Sequence, residues 1–294
     1  MADAAVAPAP ALWLVDKPAG PTSHDVVAMA RRQVGRKVKV GHCGTLDPFA
    51  TGLLVVLVGR ATRLAPYLTG LDKTYLATVR TGFTSQTLDP EGPITASGAP
   101  VGAAQVGEVL PEFVGAQEQR VPALSAVKVA GERLYARVRR GEEVDDLPVR
   151  DIDIHALRLV EDLGDGDALI EVHCGKGTYI RQLVADIGER LGCGAYCAAL
   201  RRTAVGGLSV EDAVAPDRVG PEGGLSPLRG LGHLPVRALD DDEAARVLHG
   251  GRVAGTGGAP AEAVAMTWQG RVVAIGADDG TGSLRPSVVL EDPR

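Results

Sequence analysis

Aromatic residues are scarce: Phe, Tyr and Trp together make up 3% of the 294 residues. Aliphatic side chains must therefore build the interior, and a Tyr in polar company stands out. Cysteine is also sparse. The four, at positions 43, 174, 193 and 197, form no C-x-x-C pair and no Cys/His array of zinc spacing, which leaves reduced packing thiols as the expectation. No apolar run approaches the roughly 20 residues of a bilayer-spanning helix. The N-terminus, MADAAVAPAPALWLVDKP, lacks the basic start of a signal peptide, so residues 1–10 are expected to be a disordered leader and the compartment the cytoplasm. No G-x-G-x-x-G opens a helix after a strand, and there is no P-loop, so nothing calls for a dinucleotide or ATP. Positive charge is not in excess either. A net charge of −6 argues against a nucleic-acid partner unless cations are gathered locally.

They are gathered. RRQVGRKVK, residues 31–39, carries Arg31, Arg32, Arg36, Lys37 and Lys39 with no acid among them, while acids collect in EEVDD at 142–146 and DDDE at 240–243. A basic stretch is more often a solvated face than a binding site. This one runs directly into the loop GHCGTLDPFATG, which points to a polyanionic ligand.

With 45% hydrophobic and 23% charged residues, the rest of the chain has the composition of an ordinary globular protein, large enough for one domain plus a small appendage. ALWLVDKP at 11–18 reads as a buried strand, with Lys17 bracing the turn after it. Ser23 then caps a helix over VVAMARRQV. LLVVLVG at 53–59 reads as a central strand, ATRLAPYLTG as a short helix, and KTYLATVRTG at 73–82 as an alternating strand. VGEVLPEFVG fits a helix, and VPALSAVKVAGERLYARVRR a strand, a turn at Gly131 and a helix. DIDIHALRLVE and DALIEVHCG pair across LGDGD. Ile180, Leu183, Val184, Ile187 and Leu191 share one helical face, with Thr178 at the N-cap position. Residues 216–233, rich in Gly and Pro, mark a junction, giving a domain over 11–232 and a small β-rich one over 233–294. The mixed element order lacks the βαβ rhythm of a doubly wound sheet.

Three segments invite joining. Asp47 is the only acid between Asp25 and Asp72. KGTYIRQL at 176–183 sets Lys176, Tyr179 and Arg181 at a helix start, and DKTY at 72–75 adds Tyr75. Taken alone, Asp47 reads as an Asx-turn before Pro48, His42 as a loop histidine, Arg181 as a solvated helix residue, and the tyrosines as core or rim phenols. Together they would form a pocket with one carboxylate, a cation to keep it ionised and rings to stack on a planar ligand.

DKPAGPTSHDVV, GHCGTLDPFATGLLVVLVGRATRL, DKTYLATVRTG and CGKGTYIRQLVADIGERLGCGAYCAALRRTAVG, in this order, resemble the bacterial tRNA pseudouridine synthases of the TruB type over about residues 11–215. The resemblance implies a mixed α/β (α+β) fold. Its catalytic domain would be a largely antiparallel sheet with a central RNA cleft, followed by a small PUA-like RNA-binding domain. It implies an isomerase that flips uridine 55 out of the tRNA T-loop, breaks its C1′–N1 bond, and rejoins C5 to C1′ without metal or cofactor. Asp47 matches the essential aspartate, acting at the sugar, at the base or through a glycal, a choice the sequence leaves open. Arg181 matches the arginine that keeps it ionised. Tyr75 matches the tyrosine that stacks on the base, with removal of the C5 proton as a further role. Tyr179 and the backbone at Leu200 match base or sugar contacts, and His42 a histidine that fills the space left by the extruded nucleotide. Arg31, Arg32, Arg36, Lys37 and Lys39 would hold the T-arm backbone. The partner is then tRNA, with no protein partner or membrane implied and a monomer expected. In QRVPALSAVK at 119–128 this chain has Leu124 where the family often has an aromatic residue. A catalytically silent tRNA-folding module is the main rival, and the Asp47, Tyr75, Tyr179 and Arg181 set argues against it. A glycoside hydrolase would need two carboxylates flanking the bond.

Overall fold

A computed structural model describes residues 9–125, 128–129, 132–133, 140, 147–257, 259–278 and 280–291. It is a mixed α/β chain, mostly strands, in two compact units. One takes the chain up to Asp47, Gly52–Gly70 and everything from Gly206 onward; the other takes Pro48–Thr51 and Leu71–Val205.

Strand Thr51–Val58 belongs to the first unit from Gly52 onward and is buried at each of those positions. Ala11–Lys17 pairs with it antiparallel, Ala11 opposite Val58 and Lys17 opposite Gly52, and Val40–Cys43 pairs with its Val55–Val58 half. A strand covered in this way reads as a continuous apolar run instead of alternating. Helix Ser23–Val34 sets Val26, Val27, Ala30 and Val34 against Trp13, Val15, Leu54, Val56 and Val58. Fully burying each such aliphatic side chain is worth roughly 1.5–3 kcal/mol. Lys17 is fully buried, its Nζ donating to the carbonyls of Pro18 (2.9 Å) and Pro21 (2.8 Å), which makes it the brace of the turn.

The same unit holds a second core. A five-stranded sheet, in the order Val236–Ala238, Ala261–Trp268, Arg271–Asp278, Ser283–Val289, Val253–Ala254, packs with helix Asp241–Leu248 around Val247, Val264, Met266, Val273 and Leu284. The acids DDDE are largely the start of this helix, where Asp240 and Glu243 form a capping box. Arg60 and Arg63, from the turn Gly59–Leu64, donate to the carbonyls of Glu291 (3.1 Å) and Val289 (2.7 Å).

The second unit is an antiparallel sheet in the order Ala195–Val205, Lys73–Thr81, Asp167–Cys174, Val149–Gly164, Gly115–Arg120. Lys73–Thr81 alternates as expected, with Lys73, Tyr75, Ala77, Val79 and Thr81 buried. The pair Val149–Gly164 and Asp167–Cys174 turns at LGDGD. Helix Ile180–Arg190 buries Ile180, Leu183, Val184 and Ile187. It lies so close to the next strand that a Cβ on Gly188 would sit 2.1 Å from the Ala195 nitrogen, so only glycine fits there.

Two caps differ from expectation. Thr22, not Ser23, caps the first helix in a capping box with Asp25, because Ser23 turns inward. Tyr179, not Thr178, is the N-cap of Ile180–Arg190, and the Thr178 hydroxyl instead donates to the Gly175 carbonyl at 3.1 Å. The helix expected at 106–115 starts earlier, as Ala103–Val109, and tightens into a 3-10 turn at Leu110–Phe113, where Pro111 cannot donate. Of the strand, turn and helix expected over 121–140, the structure describes a short pairing of Lys128–Val129 with Glu132–Arg133, so a strand stands where the helix was expected to begin. Gly131 and most of the expected helix lie outside the described residues.

Candidate functional site

The loop that carries Asp47 is held from below. Ser23 Oγ donates to the Leu46 carbonyl at 3.0 Å and accepts from the Leu46 nitrogen at 2.9 Å. One buried hydroxyl therefore satisfies both backbone groups of the residue before the acid. Gly44 takes a positive φ of 84°, which a residue with a Cβ adopts only at a cost. The flanks, Cys43, Leu46 and Ala50, are buried, while Asp47 itself is partly exposed. Its carboxylate is thus presented at the edge of the apolar core by a rigid turn. His42, just upstream, lies with its ring 6.0 Å from that of His24, nearly perpendicular to it. Arg31, Arg32, Arg36, Lys37 and Lys39 are all exposed. Arg31 also donates to the Val40 carbonyl at 3.1 Å, so it braces the chain that leads to the loop.

In the second unit, Tyr75 is buried in the central Lys73–Thr81 strand, opposite Val172 on one side and Arg202 on the other. Leu200 faces Ala77 two positions along, and its carbonyl accepts from the Thr51 hydroxyl at 3.4 Å. Arg181 is 4% exposed and pairs with Asp89, also 4% exposed, at 3.1 Å. It further donates to the carbonyls of Thr87 (2.7 Å) and Leu124 (3.1 Å). The reading of Arg181 as a solvated helix residue therefore fails. Position 124 serves through its backbone, so the absence of an aromatic side chain there leaves this contact intact. Cys174, at the entry to KGTY, is pushed up to about 11 by burial and stays a neutral thiol.

Three residues escaped the sequence reading. Asp89 lies in LDPEGPI, a stretch with the composition of a turn, yet its carboxylate accepts from the Glu91 nitrogen at 3.0 Å and from the Thr87 hydroxyl as well as pairing with Arg181. A hint was present in LDPEGPI: an Asp before Pro among apolar neighbours. Gln119 and Arg150 lie in ordinary-looking strand segments and grip the KGTY loop, as described below. Among the described residues no group of three or more His, Cys, Asp or Glu side chains is arranged to hold a metal ion.

This sheet and these loops have known counterparts. Residues 31–180 match the TruB family pseudouridylate synthase N-terminal domain, and residues 181–219 the tRNA pseudouridylate synthase B C-terminal domain. The chain is 45% identical over 297 residues to tRNA pseudouridine synthase B of Synechococcus sp. strain WH7803, covering 95% of this chain and 96% of that protein. It is 43% identical over 289 residues to the protein of the same name from Thermobifida fusca strain YX, covering 94% and 97%. Among solved structures, a chain of a Cbf5-Nop10-Gar1 complex superposes with a TM-score of 0.72 at 27% identity, covering 96% of this chain and 85% of that one. A chain of an H/ACA RNP bound to a substrate RNA, at 24% identity and the same TM-score of 0.72, shares the fold. The chain belongs to the TruB family of pseudouridylate synthases and is an isomerase.

Proposed function

We propose that the protein converts uridine 55 in the T-loop of tRNA to pseudouridine. The observation that carries this reading is the Asp47 turn: one partly exposed carboxylate, held by Ser23 at the edge of the core, with no other acid from 26 to 71. Relatives over 40% identical along most of their length bear the name tRNA pseudouridine synthase B, which supports tRNA as substrate.

A stacked uridine hides C1′ and C5, so it is extruded from the T-loop at a cost of a few kcal/mol. Asp47 acts as the essential carboxylate, at the sugar, at the base or through a glycal, and is free again when the product forms. The C1′–N1 bond breaks, the uracil turns over, C5 bonds to C1′, the C5 proton leaves and N1 ends protonated. Arg181, held by Asp89, is the cation of the catalytic set. Tyr75 stacks on the uracil, and Tyr179 and the Leu200 backbone contact base or sugar. His42 fills the vacated space. Arg31, Arg32, Arg36, Lys37 and Lys39 hold T-arm phosphates, with the share of Arg31 reduced by its bond to Val40. Residues 11–232 carry the chemistry, and 233–294, with a sheet and core of their own, form a small RNA-binding appendage. The enzyme works as a cytoplasmic monomer without metal or cofactor.

Tritium at uridine C5 of an unmodified tRNA transcript tests this. Wild-type protein releases the label as the C5 proton is lost, and Asp47→Asn binds the tRNA without releasing it. Release by the variant would remove Asp47 from the chemistry. Binding without release by the wild type would favour a tRNA-folding module.

A further inference from the structure

Strand Gly115–Arg120 buries only one residue, Gln119, which is 3% exposed. A buried amide is costly unless both its ends are bonded. Both are, and to a single residue 60 positions away: Nε2 donates to the Tyr179 carbonyl at 3.0 Å, and Oε1 accepts from the Tyr179 nitrogen at 2.8 Å. The side chain reproduces the pair of bonds a neighbouring strand would make. Tyr179 is the N-cap of Ile180–Arg190, extended at φ −95° and ψ 107°, and has no side-chain cap. Gln119 is thus the side chain that bonds both peptide groups of this N-cap residue.

Directly opposite Gln119 in the strand pairing stands Arg150. Its guanidinium lies 5.3 Å from the centre of the Tyr179 ring, and Nη1 donates weakly to the Gly177 carbonyl at 3.5 Å. Gly177, at φ +86°, would bring a Cβ within 3.4 Å of that nitrogen. One cross-strand pair thus grips the KGTY loop twice, Gln119 by its backbone and Arg150 by its ring. Two residues further on is Arg181.

We infer that Gln119 is a positioning residue for the uridine site: it locks the peptide groups of Tyr179, and Arg150 covers one face of the Tyr179 ring and leaves the other for the nucleotide. This rests on the reading of Tyr179 and Arg181 as residues that face the reaction. Gln119 touches no substrate and acts only through the loop.

The test is a single-turnover assay of tritium release with enzyme in saturating excess, a rate constant that does not depend on the fraction of folded protein. Gln119→Met keeps the volume and removes both bonds. Gln119→Glu keeps the acceptor for the Tyr179 nitrogen and loses the donor. The rate falls roughly 10- to 100-fold for the Met variant, as for other small misplacements of reacting groups, and by an intermediate factor for the Glu variant, while the Kd for tRNA is unchanged in both. Wild-type rates in Gln119→Met, or a loss explained by weaker tRNA binding, would overturn the role. If the Met variant does not fold, a wild-type rate in Gln119→Glu overturns it equally. A wild-type protein that releases no tritium overturns the isomerase reading and this role with it, whereas normal wild-type release with unchanged variants overturns this role alone.

Discussion

A guanidinium that is 4% exposed would be costly if its charge were not answered, and Asp89 answers it at 3.1 Å. Asp89 is held in turn by the Thr87 hydroxyl and the Glu91 nitrogen, and Leu88 beside it takes φ 63°, a left-handed conformation that a leucine adopts only when its surroundings impose it. The turn 85–91 is therefore built around Arg181. Removing one member of a buried pair leaves the other uncompensated, at a cost of about 3–5 kcal/mol. Asp89→Ala is expected to lose stability on that order, measured by denaturant unfolding, and to slow tritium release. Asp89→Asn, which can keep the bonds from Thr87 and Glu91 but does not answer the Arg181 charge, should recover only a minor part of the stability. Equal stability of wild type and Asp89→Ala would mean that the pair is not what holds the turn.

Between residues and fold stand the joints that bind one element to the next. In the C-terminal sheet, Asp278 ends strand Arg271–Asp278 and accepts from the Thr256 nitrogen (2.7 Å), the Thr256 hydroxyl (2.9 Å) and the Gly280 nitrogen (3.0 Å). The backbone N–H groups of Thr256 and Gly280 hold its carboxyl below the usual carboxylate range. A lowered folded-state value means a stabilisation fully present above the unfolded aspartate pKa, about 3.9, and lost as pH falls through the lower folded value. Denaturant unfolding followed from pH 6 to strongly acid solution should therefore show a decline below roughly pH 4 that is shallower in Asp278→Asn. The same slope in both would assign the acid sensitivity to other carboxylates.

Across the whole molecule the net charge of −6 conceals an uneven distribution. Cations crowd 31–39 and stand exposed there, while the acids at 240–243 cap a helix in the C-terminal sheet and its core. Binding of tRNA should therefore depend on salt in spite of the acidic total. Arg36→Ala with Lys37→Ala is expected to weaken tRNA binding and to lower the slope of log K against log salt by about one per lost phosphate contact, measured by filter binding. An unchanged slope would place the RNA path elsewhere.

Local pattern made much of this protein legible in its sequence. The alternation of KTYLATVRT, the unbroken apolar run of TGLLVVLV and the helical face of IRQLVADIGER depend on residues two to four positions apart, and each forms the element it spells. The four blocks that carry the family resemblance are local stretches as well. Tertiary structure alone decided which polar residues support those blocks. Ser23 reaches Leu46 across 23 residues, Gln119 reaches Tyr179 across 60, and Arg181 reaches Thr87 across 94. No periodicity announces such partners. An amide or a carboxylate in a strand or turn looks solvated until the fold buries it, and then desolvation makes a distant hydrogen bond obligatory.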